Sequence, residues 1–186
     1  TNTILNKTMT GCGATTLEIN AARHSIIIEP NVPVIVGKKA QHSFLFAVYE
    51  GTSKEDVKAY LAGEHDGYRK IISTPEGFDK KVLPAMYETN TPIFEDYFLL
   101  FDECEKAIQD VGYRGDIYLP VEDFFKFKNK AMVSATPIVP SDPRFAKQSF
   151  EMLRIVPTYD YRQPLTVCIT NNTVRVCLLY TSDAAD

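Results

Sequence analysis

The sequence predicts an α/β fold in which a mostly parallel β-sheet carries helices on both faces. Short runs of β-branched and aromatic residues recur along the chain, as is typical of strands buried on both faces of a sheet. Segments with helical signals separate these runs, which is the alternation that connects parallel strands. Polar motifs follow several runs directly, at the carboxyl ends of strands where ligands bind in such sheets.

The elements can be assigned in chain order. A helix is predicted to begin near Thr15. The capping-box pattern that starts at Ser53 predicts a helix to about Ala62, and two more helices are predicted over 103–110 and 121–127. The predicted strands are 25–29, 44–49, 69–73, 97–101 and 131–134, followed after a Pro- and Asp-rich stretch by 150–156 and 165–170.

A glycine-rich turn, Gly-Cys-Gly-Ala-Thr-Thr, precedes the first predicted helix. Glycines let backbone N–H groups approach a phosphate, and a helix N-terminus directs partial positive charge at it. The turn is therefore a candidate phosphate-binding loop. The residues predicted to bind the cofactor are Lys7, Gly11, Cys12, Gly13, Ala14, Thr15 and Thr16.

Two further motifs follow the loop in a fixed order. Asp102 and Glu103 come directly after the run Tyr-Phe-Leu-Leu-Phe, which can present a carboxylate at its tip. About thirty residues later, Ser134-Ala-Thr136 ends another predicted strand and precedes Pro137. A glycine loop, an acidic pair and a Ser-Ala-Thr run in this order indicate a nucleotide-driven motor domain.

In this order the motifs resemble those of the first RecA-like domain of a DEAD/DEAH-type helicase of superfamily 2, a P-loop NTPase. The resemblance covers about residues 4 to 170. It implies that the cofactors are ATP and Mg²⁺, that DNA or RNA is the partner, and that a second RecA-like domain follows. It also implies a hydrolase activity of the full-length protein, with this domain truncated after the first half of the motor.

The resemblance also implies a role for each motif. Thr15 and Asp102 would hold Mg²⁺, and Glu103 would polarise the attacking water, so Asp102 and Glu103 are the candidate catalytic residues. Ser134 and Thr136 would couple the hydrolysis site to movement along the nucleic acid.

Three other strand-end residues match positions at which the family contacts the sugar-phosphate backbone, namely Asn31, Thr74 and Glu76. Small polar groups of this kind contact the backbone without reading bases. Ordinary turn and helix-cap chemistry is the alternative explanation for all three.

The loop departs from the family pattern Gly-x-Gly-Lys-Thr, because Ala14 stands where the lysine is expected. Lys7, at the start of the loop, is a candidate replacement, as in some phage terminase ATPases; a solvated lysine at a strand end is the alternative. Two other functions therefore stay open: a terminase-like packaging ATPase, and a degenerate module that binds nucleotide or nucleic acid without hydrolysis.

Composition limits the remaining possibilities. The 186 residues carry a net charge of −4 and 45% hydrophobic residues, which suits a globular domain without a strongly basic surface. The four cysteines lack metal-ligand spacing, and no run is long enough to span a bilayer, so we expect no membrane association and a cytoplasmic protein. The expected organisation is a RecA-like domain at 1–158, the start of a linker at 159–176 and a sequencing-adapter read-through at 177–186.

Overall fold

The computed structural model describes residues 2–8, 11–104, 121–136 and 142–158. Within these ranges seven strands form one sheet: β1 (Thr3–Asn6), β2 (His24–Ile28), β3 (Phe46–Val48), β4 (Lys70–Ser73), β5 (Tyr97–Phe101), β6 (Asn129–Ser134) and β7 (Glu151–Arg154). The helices in the same ranges are α1 (Ala14–Asn20), α2 (Val32–Gln41), α3 (Lys54–Ala62), α4 (Pro75–Gly77), α5 (Leu83–Glu88), α6 (Ile93–Asp96), α7 (Val121–Lys126) and α8 (Pro143–Lys147), with a π-helical turn at Phe78–Val82.

The strand order is β3-β4-β2-β5-β6-β1-β7, and every neighbouring pair is parallel. The carboxyl ends of all seven strands therefore lie along one edge of the sheet. The segments that follow β1, β2, β5 and β6 meet at this edge, because these four strands are consecutive in the order β2-β5-β6-β1. The predicted α/β class with a parallel sheet is confirmed.

The strand assignments agree closely with the sequence. The predicted strands from 25–29 to 150–156 correspond to β2 through β7, with ends that differ by at most two residues. The strand predicted at 165–170 and most of the helix predicted at 103–110 lie outside the described residues. β1 is not among the predicted strands; it has four residues, of which Ile4 is buried.

The run of isoleucines in β2 shows that the sheet is covered on both faces. Ile26 and Ile28 lie in one hydrophobic cluster, whereas Ile27 lies in another. Successive side chains of a strand point to opposite faces of the sheet. Because both faces are covered, all three positions are buried, and the sheet has a hydrophobic core on each side.

Local sequence signals predict α3 correctly but do not predict α2. α3 begins as predicted, because the Ser53 hydroxyl accepts a hydrogen bond from the Asp56 N–H at 3.1 Å and the Asp56 carboxylate accepts one from the Ser53 N–H at 2.7 Å. α2 is not predicted by the sequence. Its residues 32–36 read Val-Pro-Val-Ile-Val, which local propensity assigns to a strand, and only Ile35 is buried.

Residue contacts divide the chain into two compact units, Thr1–Val156 and Pro157–Asp186. The sheet belongs to the first unit. The boundaries expected at 158 and 176, between the domain, the linker and the read-through, stay predictions, and residues 159–186 lie outside the described part of the chain. Among the described residues, no helix has the length and apolar character needed to cross a bilayer.

Gly77, which closely follows β4, allows the packing at this strand end to be tested by mutation. A Cβ atom there would lie 2.7 Å from Ser73 Oγ and 3.0 Å from the Val48 carbonyl oxygen, both in the sheet. We expect Gly77→Ala to lower the free energy of unfolding by about 1–3 kcal/mol, because neither neighbour can move away easily. Urea denaturation of the full chain measures this change.

The matched control is Gly37→Ala in α2, where a Cβ would meet nothing within 4 Å. There we expect a gain of about 0.5–1 kcal/mol, because alanine loses less backbone entropy than glycine in a helix. Equal stabilities for the two variants would contradict the packing described at Gly77.

Candidate nucleotide-binding site

The strand ends of β1, β2 and β5 surround a cavity of about 340 Å³ together with α1 and α2. The cavity contains the whole predicted phosphate loop and both residues of the acidic motif. Its lining residues are Lys7, Gly11, Cys12, Gly13, Ala14, Thr15, Thr16, Glu29, Asn31, Val34, Lys38, Asp102 and Glu103. All nine residues predicted to bind the cofactor or catalyse are therefore brought together.

The glycine turn has the backbone geometry that its glycines suggest. Gly11 and Gly13 have φ values of 73° and 83°, in the left-handed region that a side chain disfavours. α1 begins directly afterwards, and its first hydrogen bond runs from the Leu17 N–H to the Gly13 carbonyl at 2.8 Å. The N–H groups of residues 14–16 precede that bond, so a helix geometry leaves them without intrahelical acceptors.

Lys7 is buried and lies between the two acidic side chains. Its Nζ donates to Asp102 Oδ1 at 3.1 Å and to Glu103 Oε1 at 2.8 Å. Burial lowers the pKa of the ammonium, but the hydrogen bonds and negative charges of Glu103 and Asp102 outweigh this effect and raise the pKa to about 12. Lys7 is therefore a charged, internally paired lysine and not a solvated one.

Lys7 reaches the acidic motif across an intervening strand. The Lys7 N–H donates to the Ser134 carbonyl at 2.9 Å, which continues the pairing of β1 with β6. Asp102 follows β5, on the far side of β6, and two strand spacings amount to about 10 Å. A long side chain is needed to span this gap, and lysine has the required length.

Thr15 and Asp102 are connected directly. The Thr15 hydroxyl donates to Asp102 Oδ2. The other carboxylate oxygen, Oδ1, accepts from Lys7 and from the Glu103 N–H at 2.9 Å. The backbone N–H of Asp102 donates to the Ile28 carbonyl at 2.9 Å, which holds the residue at the end of β5. Asp102 is 3% exposed, and its orientation is set by all these contacts.

Glu103 has an unusual backbone conformation. Its φ of 49° lies in the left-handed region, which costs a residue with a Cβ about 1–2 kcal/mol. Such conformations concentrate at functional sites, where the surrounding structure maintains them. At Glu103 the conformation coincides with the ion pair to Lys7 at the cavity wall.

Glu29 is a cavity residue that sequence reasoning missed. It follows the last residue of β2 and is 2% exposed, and its Oε1 accepts hydrogen bonds from the N–H and Nδ2 of Asn31, both at 2.9 Å. Burial raises the pKa of the Glu29 carboxyl, which the hydrogen bonds from Asn31 oppose without cancelling. An acidic residue directly after an isoleucine run was the available signal.

Lys38 is the second cavity residue that sequence reasoning missed. It belongs to the last turn of α2, and its Nζ donates to Thr16 Oγ1 at 2.7 Å. Because α2 itself was not predicted, the sequence offered no reason to place this lysine near the glycine loop.

The residues predicted for coupling lie beside the cavity. The Ser134 hydroxyl accepts from the Thr136 N–H at 2.9 Å, and the Ser134 carbonyl accepts from the Lys7 N–H. Ser134 is fully buried, and neither residue is among the described residues that line the cavity.

The three residues predicted to contact nucleic acid follow β2 and β4, which are neighbouring strands. Asn31 lines the cavity and is bonded to Glu29. Thr74 caps α4, because its hydroxyl accepts from the Gly77 N–H at 3.0 Å. Glu76 is exposed in the first turn of that helix. Helix-cap chemistry thus accounts for the contacts of Thr74.

The buried Glu29 predicts a pH-dependent stability. A raised pKa means that the folded protein binds more protons than the unfolded chain at pH values above about 4.3, so Glu29 lowers stability as the pH rises through that window. Glu29→Gln keeps Oε1 as an acceptor for Asn31 but does not titrate. We expect its stability relative to wild type to increase between pH 4 and pH 7, measured by urea denaturation.

The control for this measurement is Glu50→Gln, at an exposed position. Its stability should follow the wild-type pH profile in parallel. A Glu29→Gln profile that is also parallel to wild type would show that the Glu29 carboxyl titrates normally.

Comparison with known proteins identifies the fold. No protein-family model matches the chain, and no curated protein matches it. Among solved structures, the chain is similar to the crystal structure of the Pyrococcus furiosus Hef helicase domain, with 16% sequence identity and a TM-score of 0.52. The similarity covers 83% of this chain and 35% of the other, so this chain spans about one third of the length of that structure. The chain therefore has a RecA-like α/β fold, similar to the fold of that structure.

Proposed function

We propose that this chain is an ATP-binding, helicase-like motor domain that couples ATP hydrolysis to the remodelling of DNA or RNA. The observation that carries the proposal is the contact of Lys7 with both Asp102 and Glu103 in a cavity that also contains the glycine turn. A buried lysine beside two carboxylates, next to free backbone N–H groups, suits a substrate that brings both phosphate and a divalent cation.

The phosphate groups of ATP would be bound by the glycine turn and Lys7. Residues 14–16 offer backbone N–H groups, and Lys7 offers a charged ammonium group. The Lys7 hydrogen bonds to Asp102 and Glu103 hold that group at the cavity wall before a substrate binds. Lys7 would then supply the positive charge that the loop lacks, because Ala14 stands at the position of the usual lysine.

The donor set fits Mg²⁺. This ion prefers oxygen ligands and is usually bound by one or two carboxylates together with substrate phosphates. Asp102 and Thr15 supply a carboxylate and a hydroxyl that already contact each other, and the described residues contain no cluster of three acidic, histidine or cysteine side chains that would hold a metal alone. When bound, Mg²⁺ would neutralise the charge that develops on the phosphates.

Glu103 is the proposed general base. Its carboxylate would accept a proton from the water that attacks the terminal phosphate, and Lys7 would stabilise the charge on the transferred phosphoryl group. Lys7 Nζ and Glu103 Oε1 are 2.8 Å apart, so a movement of either side chain would change the hydrogen bonding of the other. The left-handed backbone of Glu103 supports this assignment, since strained residues are common at catalytic positions.

Coupling to movement is proposed to pass through β6. Ser134 accepts hydrogen bonds from the backbone of Lys7 and from that of Thr136. A shift of Lys7 during hydrolysis would therefore act on the strand end that carries Ser134 and Thr136. Asn31, Thr74 and Glu76 are proposed to contact the nucleic-acid backbone together with a second RecA-like domain.

A packaging ATPase of the phage terminase type is the second candidate, because its essential base would also lie at the start of the loop, where Lys7 is. Gene sequence beyond this chain distinguishes the two: a second RecA-like domain supports the helicase, and a nuclease domain supports the packaging enzyme. The cytoplasmic location and the boundaries at 158 and 176 are part of the same proposal.

Lys7→Met tests the proposal most directly. We expect the variant of the full chain to bind MgATP about tenfold to a hundredfold more weakly than wild type, because a charge-assisted contact worth about 1.5–3 kcal/mol is lost. Isothermal titration calorimetry measures the affinity. Lys39→Met, at an exposed lysine bonded to the Ser43 carbonyl, is the matched control and should bind like wild type.

Lys7→Met leaves two carboxylates without their buried partner, so a thermal melt must show that the variant is folded. Lys7→Arg, which keeps the charge, provides a second reading. Unchanged MgATP affinity in a folded Lys7→Met protein would exclude the proposed role of this lysine, and a folded wild type that binds no ATP would exclude the proposed function.

Thr15→Val tests the metal site separately. Valine is close to threonine in shape but has no hydroxyl for the cation or for Asp102. We expect ATP affinity with Mg²⁺ to fall towards the affinity measured with EDTA, while the affinity in EDTA changes little. If Mg²⁺ strengthens ATP binding equally in wild type and in Thr15→Val, then Thr15 is not a metal ligand.

A further inference from the structure

Lys38 lines the same cavity as Lys7 but belongs to a different element, because Lys38 lies in α2 whereas Lys7 follows β1. Its Nζ lies 2.7 Å from Thr16 Oγ1, although the two residues are on different helices. Lys38 is half-buried and lines the cavity. The next residue, Lys39, is exposed and donates instead to the Ser43 carbonyl at 2.7 Å. Lys38 and Lys39 are adjacent in sequence, but their side chains point in different directions.

The charge environment of Lys38 differs from that of Lys7. Lys7 is shared between two carboxylates, which offset its charge inside the protein. Within the described part of the chain, the contact of the Lys38 ammonium is with a neutral hydroxyl. An ammonium group has three N–H donors, so this contact leaves two donors for an anion.

The glycine turn itself contains no basic residue from Gly11 to Thr16. Ala14 occupies the position at which phosphate loops carry a lysine. A nucleotide polyphosphate in this cavity would therefore depend on cations from outside the loop, and Lys38 is one of the two lysines among the described residues that line it.

The hydroxyls of the adjacent residues Thr15 and Thr16 contact different charged side chains. Thr15 bonds to Asp102, and Thr16 bonds to Lys38. Consecutive residues of a helix point about 100° apart, as follows from 3.6 residues per turn. Lys38 thus lies on a different side of the loop from the acidic pair at which the terminal phosphate would react.

We propose that Lys38 is a second phosphate-binding lysine, which exchanges its hydrogen bond with Thr16 for one to the inner phosphates of the nucleotide. The inference rests on the proposed nucleotide-binding function and assigns the two ends of the polyphosphate. Lys7 acts at the terminal phosphate, beside Asp102 and Glu103, whereas Lys38 acts on phosphates that ATP and ADP share.

The test is calorimetry of MgATP and MgADP binding to the full chain. We expect Lys38→Met to weaken both nucleotides by a similar factor, about tenfold to a hundredfold, because the lost contact is present with either ligand. Lys39→Met should leave both affinities within about twofold of wild type. Lys38→Arg should recover part of the loss, because it restores the charge.

Lys7→Met provides the contrasting profile, since it should weaken ATP more than ADP. If Lys38→Met binds both nucleotides as tightly as Lys39→Met does, the inference is overturned. The proposed function would still stand in that case, because the wild-type protein binds nucleotide. A loss confined to ATP would also overturn it, because it would put Lys38 at the terminal phosphate. A folded wild type that binds neither nucleotide would overturn the proposed function and this inference together.

Discussion

The Lys7 ammonium, held between the carboxylates of Asp102 and Glu103, is the interaction on which the cavity depends. Asp102 is buried and Glu103 is partly buried, so these adjacent acidic side chains repel each other and lose hydration. A buried cation between them offsets both effects. Removing that cation is expected to cost more than the net value of the ion pair, because both carboxylates would lose their cationic partner inside the protein.

The strand order makes this interaction possible. β1 and β5 are separated by β6, and the parallel arrangement brings their carboxyl ends to the same edge. The Lys7 side chain spans the intervening strand, whose residue Ser134 accepts the Lys7 N–H. Backbone pairing therefore positions the start of the side chain, and the ion pair positions its end. A lysine beside the glycine turn in sequence thereby comes to lie against an acidic motif 95 residues further along the chain.

The cavity contains two lysines and three acidic side chains, so its own charges nearly balance. The ligand proposed above, a metal–polyphosphate pair, would suit this balance, because neither the metal nor the polyphosphate would meet a strong net charge of one sign. The two lysines come from the segment that follows β1 and from α2, whereas the loop itself has no basic residue. The positive charge that a phosphate loop usually carries within itself is distributed over neighbouring elements.

The sequence by itself determined the α/β class, six of the described strands, the capped start of α3 and most of the cavity. Each of these depends on local chemistry: apolar runs such as Ile26–Ile28 are strands because both sheet faces are buried, and Ser53 and Asp56 cap a helix wherever it packs. The glycine turn and the pair Asp102-Glu103 could also be identified from the sequence, because turns and strand ends have local residue preferences. Their chemical roles are proposals.

Only the tertiary structure decided which charges meet. The valine-rich start of α2 favours a strand locally, and its packing as a helix is what brings Lys38 to Thr16. The isoleucine run marks Glu29 as a strand-end residue, but its place in the cavity wall depends on β2 ending beside β5. Lys7 could be either solvated or buried from sequence alone, and the order β5-β6-β1 determined that it is paired. Strand order depends on contacts between residues far apart in the chain, and no local pattern records it.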